Sequence, residues 1–280
     1  MSYLPIGFRV PRILLRVSRR RVACAAGLLL ASSLSAGLQG LAQGAPTVAS
    51  KELRVDAAAD METALPVLAA AYEHATGIKL TVSYGASSKL ADAIVGGEAV
   101  DLFLSADYLF AEKVVAANLA DTGDPIPYAR GMLVLWARKD SPLQPLHLEA
   151  LTDARVKTVA IANAEEAPYG RAAMSAIEKL KLLDAVEPKL VTAEDGAQAG
   201  EFAESGRTQL AFLSQAMATS EHYKDLGTFV LVPTVYPEIR QCAVVLRGSE
   251  RRAEAHAFLD WLRSPGIQRN LPKLGFRPVL

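Results

Sequence analysis

The chain has 280 residues, 30 basic against 30 acidic and 51 % hydrophobic, enough for one large or two small domains with real cores. The balance is uneven along its length: Arg9, Arg12, Arg16, Arg19, Arg20 and Arg21 fall in a leader with no acidic residue before Glu52. Without that leader 24 basic residues face 30 acidic ones, a net charge of −6, which disfavours nucleic acid and acidic membranes as partners.

The arginine-rich start is followed by an apolar, small-residue run from Val22 to about Leu38, the layout of a secretory signal peptide. Ala42-Gln43-Gly44 carries small residues at cleavage spacing, so residues 1–44 are expected to be removed and the mature protein to work in the periplasm. The apolar run is shorter than the roughly 18 residues a spanning helix needs. Ser18-Arg19-Arg20-Arg21 leaves twin-arginine export open beside the general route. Cys24 precedes the apolar run, so lipid attachment there is not expected, and Cys242 is the single cysteine left after cleavage. It sits in Gln241-Cys242-Ala243-Val244-Val245-Leu246 and reads as a buried core thiol, with no disulfide inside the mature chain.

From there strand and helix patterns alternate. Strands are predicted at Leu53-Asp56, Ile78-Tyr84, Asp101-Leu104, Met132-Ala137, Thr158-Ala162, Lys189-Val191, Gln209-Leu213, Phe229-Val232 and Cys242-Leu246, with helical patterns between them. Such alternation argues for open α/β sheets with helices on both faces, in which ligands bind beyond the carboxyl ends of strands.

The strand-to-helix junctions are therefore where function is expected. At Ala57-Ala58-Ala59-Asp60 three alanines leave room for a ligand against the backbone, and Asp60 is suited to cap the following helix, in which Pro66 should bend or restrict the first turn. At Tyr84-Gly85-Ala86-Ser87-Ser88-Lys89-Leu90 a glycine allows a sharp turn, Ser87 or Ser88 can cap the helix, and exposed amides with serine hydroxyls suit an anion. Asp101-Leu102-Phe103-Leu104-Ser105-Ala106-Asp107 delivers Asp107 as a helix cap. Beyond Arg130 the chain is expected to cross into a second lobe. There Ala167-Pro168-Tyr169-Gly170 opens a helix with proline in its first turn, Glu194-Asp195-Gly196 opens another, and Ser214 ends a strand. A return through Tyr236-Pro237-Glu238-Ile239-Arg240 leads to an amphipathic helix over Arg251 to Arg263.

These junction motifs, with Leu274-Gly275-Phe276 near the end, resemble the molybdate-binding proteins of ABC importers over Leu53 to Phe276. The resemblance implies a type II periplasmic binding protein: α/β, two doubly wound lobes with mixed sheets joined by two crossovers, and an oxyanion held in the cleft. It divides the chain into lobe one, 45–129 and 238–280, and lobe two, 130–237, hinged near Arg130 and Arg240. It implies a monomer without cofactor that binds molybdate or tungstate and delivers it to a membrane permease and its ATPase. By position it places ligand donors on Ser87, on Tyr169 and Gly196 through their amides, and on Ser214 where the family has a tyrosine; Ser88 is a lesser donor at the helix start. Asp60 falls where the family has a serine, and three roles stay open for it: capping its own helix, pairing with a cation such as Arg171, or accepting from a protonated ligand. The last would favour phosphate over molybdate.

Two rival readings remain: a sensor that uses the same cleft without transport, and an exported enzyme. Against the enzyme, His74, His147, His222 and His256 lack metal-ligand spacing, and no Gly-x-Ser-x-Gly elbow surrounds Ser87.

Overall fold

A computed structural model of the chain describes residues 52–279; the leader and its cleavage site lie outside the described residues. The described chain is one compact unit holding two five-stranded mixed sheets.

The first sheet takes β1 (Glu52–Ala58), β2 (Lys79–Gly85), β3 (Leu102–Ser105), β4 (Ile126–Gly131) and, from the far end of the chain, β10 (Ile239–Val245), in the order β2-β1-β3-β10-β4. The second takes β5 (Leu133–Arg138), β6 (Val159–Ala162), β7 (Leu190–Ala193), β8 (Leu210–Ser214) and β9 (Gly227–Leu231), in the order β7-β6-β8-β5-β9. Strands joined through helices pair in parallel, β1 with β2 and β3 and β6 with β7 and β8. The strands next to the two crossings pair antiparallel, β10 with β3 and β4 and β5 with β8 and β9. The expected fold class, two α/β lobes joined by two passages, is the one observed.

Each predicted strand overlaps an observed one, but β4 was not expected. It carries Pro127 and Arg130, which break an apolar reading, and it lies at the sheet edge, where a missing donor is tolerated. Its partner β10 starts at Ile239, three residues before the predicted Cys242, because Ile239 and Arg240 pair with Gly131 and Arg130.

In the first lobe α1 (Leu65–Thr76) has Pro66 in its first turn, where a proline ring costs no hydrogen bond, and ends on the left-handed Gly77. Tyr72 of α1 packs edge-on against Phe258, with ring centroids 5.0 Å apart. Phe258 belongs to α9 (Arg252–Leu262), the expected amphipathic helix, which also buries Ala255, Leu259 and Leu262. On the other face of the sheet α2 (Ser87–Val95) and α3 (Tyr108–Ala116) cover Phe103, Cys242 and Val244. Cys242 is fully buried, and burial pushes its thiol up to about 12. In the second lobe α4 (Pro168–Lys179) and α5 (Leu183–Val186) cover one face of the sheet, and α6 (Gly196–Glu204), α7 (Gln215–Ala218) and α8 (Glu221–Leu226) cover the other around Trp136. After α9 comes the short α10 (Pro265–Gln268). No helix among the described residues is long and apolar enough to cross a membrane.

The two passages are tied together. The Leu133 amide, just past the first, donates to the Tyr236 hydroxyl in the second at 3.0 Å. Near the same place Glu238 accepts from both Arg130 and Arg240. Both sheets thus end at a shared seam, and the loops after β1, β2, β6, β7 and β8 converge beside it.

Candidate functional site

A small cavity lies where those loops meet. The first lobe lines it with Ala58, Ala59, Asp60, Gly85, Ala86, Ser87 and Ala106, and the second with Ala167, Pro168, Tyr169, Asp195, Gly196, Ser214 and Met217. Of the six residues singled out in the sequence, Asp60, Ser87, Tyr169, Gly196 and Ser214 are brought to this one wall. Ser88 is not on it: its amide is engaged by the Glu166 carbonyl of the other lobe at 3.2 Å. The Ser88 hydroxyl is buried without a partner.

The wall is built from the starts of helices. Ala86 is the N-cap of α2 in extended conformation, one residue before Ser87 and two before Ser88, which puts Ser87 inside the first turn. The buried Ser87 hydroxyl accepts from the Ala106 amide at 3.1 Å, and its own proton is left to donate. Gly85, expected to supply a sharp turn, has no left-handed backbone and ends β2 as ordinary strand.

In the second lobe Pro168 occupies the first position of α4, so the amides of Tyr169 and Gly170 follow at the open end of the helix. Gly170 is required there. A side-chain carbon on it would stand 2.1 Å from the Ala162 carbonyl oxygen, so only glycine lets α4 start this close to β6. Asp195 caps α6 by accepting from the Gln198 amide at 2.9 Å, which turns its side chain onto its own helix and leaves Gly196 in open space. Ser214 caps α7 by accepting from Met217 at 3.1 Å, again leaving a hydroxyl proton. Among the described residues, the cavity wall holds no lysine or arginine. Beside the carboxyls of Asp60 and Asp195 it has the hydroxyls of Ser87 and Ser214 and the backbone at three helix starts, groups that suit an anion whose oxygens only accept.

Asp60 departs from two of its expected roles. It does not cap α1, whose N-cap is Ala64; it lies in a 3₁₀ turn, Ala59–Met61, with its side chain buried. It is not paired with Arg171, whose guanidinium pairs instead with Asp107 across the cleft. Asp107 also caps α3 as expected, accepting from Phe110 at 3.0 Å. One Asp60 oxygen, Oδ2, accepts from the Gln241 side-chain amide, while Oδ1 is buried without a partner. Burial pushes the Asp60 carboxyl up to about 7, against the hydrogen bonds of Tyr169, Gln241 and its own amide, which hold it down.

Around Asp60 lies a polar network that the sequence reading missed. Gln241 is fully buried on β10; the Tyr128 hydroxyl donates to its Oε1 at 2.9 Å, and its Nε2 lies 3.5 Å from the Tyr169 hydroxyl. The Tyr169 ring reaches over Gly131, where a side-chain carbon would meet the phenol oxygen at 2.1 Å. Tyr169 therefore lines the cavity while its hydroxyl reaches the seam. A glutamine heading an apolar strand was the available sign, since a buried amide requires partners.

A family model described as bacterial extracellular solute-binding protein matches residues 53–277. The chain is 32 % identical to the molybdate-binding protein ModA of Rhodobacter capsulatus, over 81 % of this chain and 89 % of the relative. It is 31 % identical to the molybdate-binding protein ModA of Azotobacter vinelandii, over 93 % and 97 %. The solved structure of the Azotobacter vinelandii periplasmic molybdate-binding protein matches with a TM-score of 0.74 at 30 % identity, covering 80 % of this chain and 98 % of that one. Two mixed α/β lobes, a cavity walled by helix starts at their seam, and these likenesses over nearly all the described residues place the chain in the bacterial extracellular solute-binding protein family.

Proposed function

We propose that the protein is an extracytoplasmic carrier that captures molybdate, and tungstate with it, and hands the anion to an ABC permease and its ATPase, turning nothing over itself. The observation that carries this reading is a cavity wall without lysine or arginine, to which both lobes bring helix starts and serine hydroxyls. A fully deprotonated tetrahedral dianion needs only donors, and Ser87, Ser214 and the amides of Tyr169 and Gly196 supply them from both sides. Hydrogen bonds to a charged partner contribute about 1.5 to 3 kcal/mol each, and a helix start adds about 0.3 to 1.

In this reading residues 1–44 are the export signal, lobe one is 45–129 with 238–280, and lobe two is 130–237. The lobes hinge where the chain passes between the sheets, and the closed monomer presents a surface to the permease. Relatives named for molybdate support the choice of anion. Asp60 favours a second ligand, hydrogen phosphate, whose own hydroxyl would donate to an ionised carboxylate. Calorimetry of the mature protein against molybdate, tungstate, sulfate and phosphate separates the two. Molybdate and tungstate are expected to bind tightly, and tight phosphate binding with no molybdate heat would reject the assignment.

A further inference from the structure

We propose that Asp60 works in the site as an acid: when a tetrahedral dianion is captured, one proton stays on the Asp60 carboxyl and is donated to a ligand oxygen. The inference rests on the oxyanion reading above and names the group that makes capture depend on pH.

The geometry assigns different work to the two carboxyl oxygens. Oδ2 is held by Gln241, which is itself held by Tyr128 at 2.9 Å, so the carboxyl is pinned from the seam side. Oδ1 is buried, without a partner, on a residue that lines the cavity. An ionised, unpaired oxygen in that place would be costly by itself and would repel a dianion. A proton on Oδ1 removes both difficulties, because it turns an orphaned acceptor on a cavity-lining residue into a donor for a ligand oxygen. The resting carboxyl, raised by burial to about 7, is half protonated near neutral pH before any anion arrives. No bond other than the hydrogen bond forms, and above neutrality the proton is drawn from solvent as the anion binds.

Among the described residues, Asp60 is the cavity-lining carboxyl with an unpartnered buried oxygen. From α4 the Tyr169 hydroxyl faces Asp60, and from β4 the Tyr128 hydroxyl faces Gln241; both are pushed far above their ordinary range by burial and stay neutral. From β10 come neutral Gln241 and, next to it, Cys242, a thiol raised to about 12. Asp195, before α6, lines the same cavity but is committed to capping its helix. Glu62, two residues along, is raised by burial and by Asp195 and Glu201. The nearest cations on the facing elements are engaged elsewhere, Lys89 by Glu194 and Glu166 and Arg171 by Asp107.

The test is the dissociation constant for molybdate between pH 6 and pH 9, in the mature protein and in Asp60→Asn, with proton uptake read by calorimetry in two buffers of different ionisation enthalpy. Asparagine copies the protonated acid, with an oxygen for Gln241 and an N–H for the ligand. The wild-type protein is expected to weaken about fifty-fold from pH 7 to pH 9 and to take up close to one proton per anion at pH 8. Asp60→Asn is expected to change by less than about threefold and to bind tighter than wild type at pH 9. A flat wild-type profile, absence of proton uptake, or an unchanged slope in Asp60→Asn would overturn the proposal. Should the variant not fold, wild-type proton uptake decides alone. pH-independent binding would leave the oxyanion reading standing, whereas no molybdate binding by either protein at pH 6 would remove that reading and this one with it.

Discussion

Lys89, in the first turns of α2, pairs with Glu194 of the second lobe, and Glu166 of that lobe lies 3.7 Å from the same ammonium. Beside it, the Ser88 amide reaches the Glu166 carbonyl, and farther round the cleft Arg171 pairs with Asp107. These links span the two lobes on either side of the cavity, and in the proposed carrier they would act as a latch on the closed arrangement. They are exposed or half-buried, so each is individually weak and sensitive to salt. Lys89→Ala is expected to speed ligand release about two- to fivefold at low salt, with a smaller effect at high salt. Stopped-flow dissociation measures it, and a slower release would contradict the latch.

Ser87 is placed for two bonds. Its oxygen receives the Ala106 amide, and in the proposed site its proton goes to the ligand. Ser87→Ala is expected to weaken molybdate binding about ten- to hundredfold, the worth of one hydrogen bond to a charged group. It should also lower the melting temperature, because the buried Ala106 amide loses its partner. Calorimetry and thermal unfolding read the two effects separately.

Tyr169 divides its backbone and its ring between two tasks. Tyr169→Phe keeps the amide at the cavity wall and removes the hydroxyl that helps hold the Asp60 carboxyl down. Affinity at pH 6 is expected to stay within about fivefold of wild type, the loss of one neutral hydrogen bond at most. The midpoint of the pH dependence should rise. A downward shift would mean that the hydroxyl does not favour the ionised carboxylate.

Two buried carboxyls give the ligand-free protein a stability profile of unusual sign. Burial raises Asp60 to about 7, and burial with the Glu98 charge raises Asp56 to about 6, both from 3.8. Between 3.8 and those values the folded state binds more protons than the unfolded state, so stability falls as pH rises. Their contribution is complete below the unfolded value and is lost through about pH 6 to 7. The melting temperature of the ligand-free protein is expected to drop from pH 5 to pH 8, and Asp56→Asn and Asp60→Asn should each flatten that drop. A rise over the same interval would contradict the assignment.

Gly170 is the tightest point of the site's framework. Gly170→Ala forces a carbon into the Ala162 carbonyl, so α4 must move away from β6. A loss of about 1 to 3 kcal/mol is expected in denaturant unfolding, as for an overpacked core. Weaker anion binding should accompany it, because the Tyr169 amide moves with the helix.

Much of this was legible in the sequence, because the strands are short apolar runs and each functional junction directly follows one. Asp107 as a cap and Ser87 at the start of α2 needed only local chemistry. The resemblance carried the placing of Tyr169, Gly196 and Ser214 on one wall, since no periodicity brings residues of separate lobes together. What escaped was long-range. β4 is an edge strand with a proline, and its existence depends on β10, more than a hundred residues later. Asp60 appeared to be a cap because aspartate before a helix usually is one; its fate was decided by Gln241, 181 residues away. Ser88 read as a lesser donor at the helix start, and its amide is instead taken by the Glu166 carbonyl of the other lobe.

The most direct measurement is a crystal structure of the mature protein grown with molybdate, with the metal located by its anomalous signal. The account predicts one anion in the cavity between the lobes, its oxygens within hydrogen-bond distance of Ser87 Oγ, the amides of Tyr169 and Gly196, and Asp60 Oδ1. An anion bound elsewhere, or a cavity empty at saturating molybdate, would contradict it.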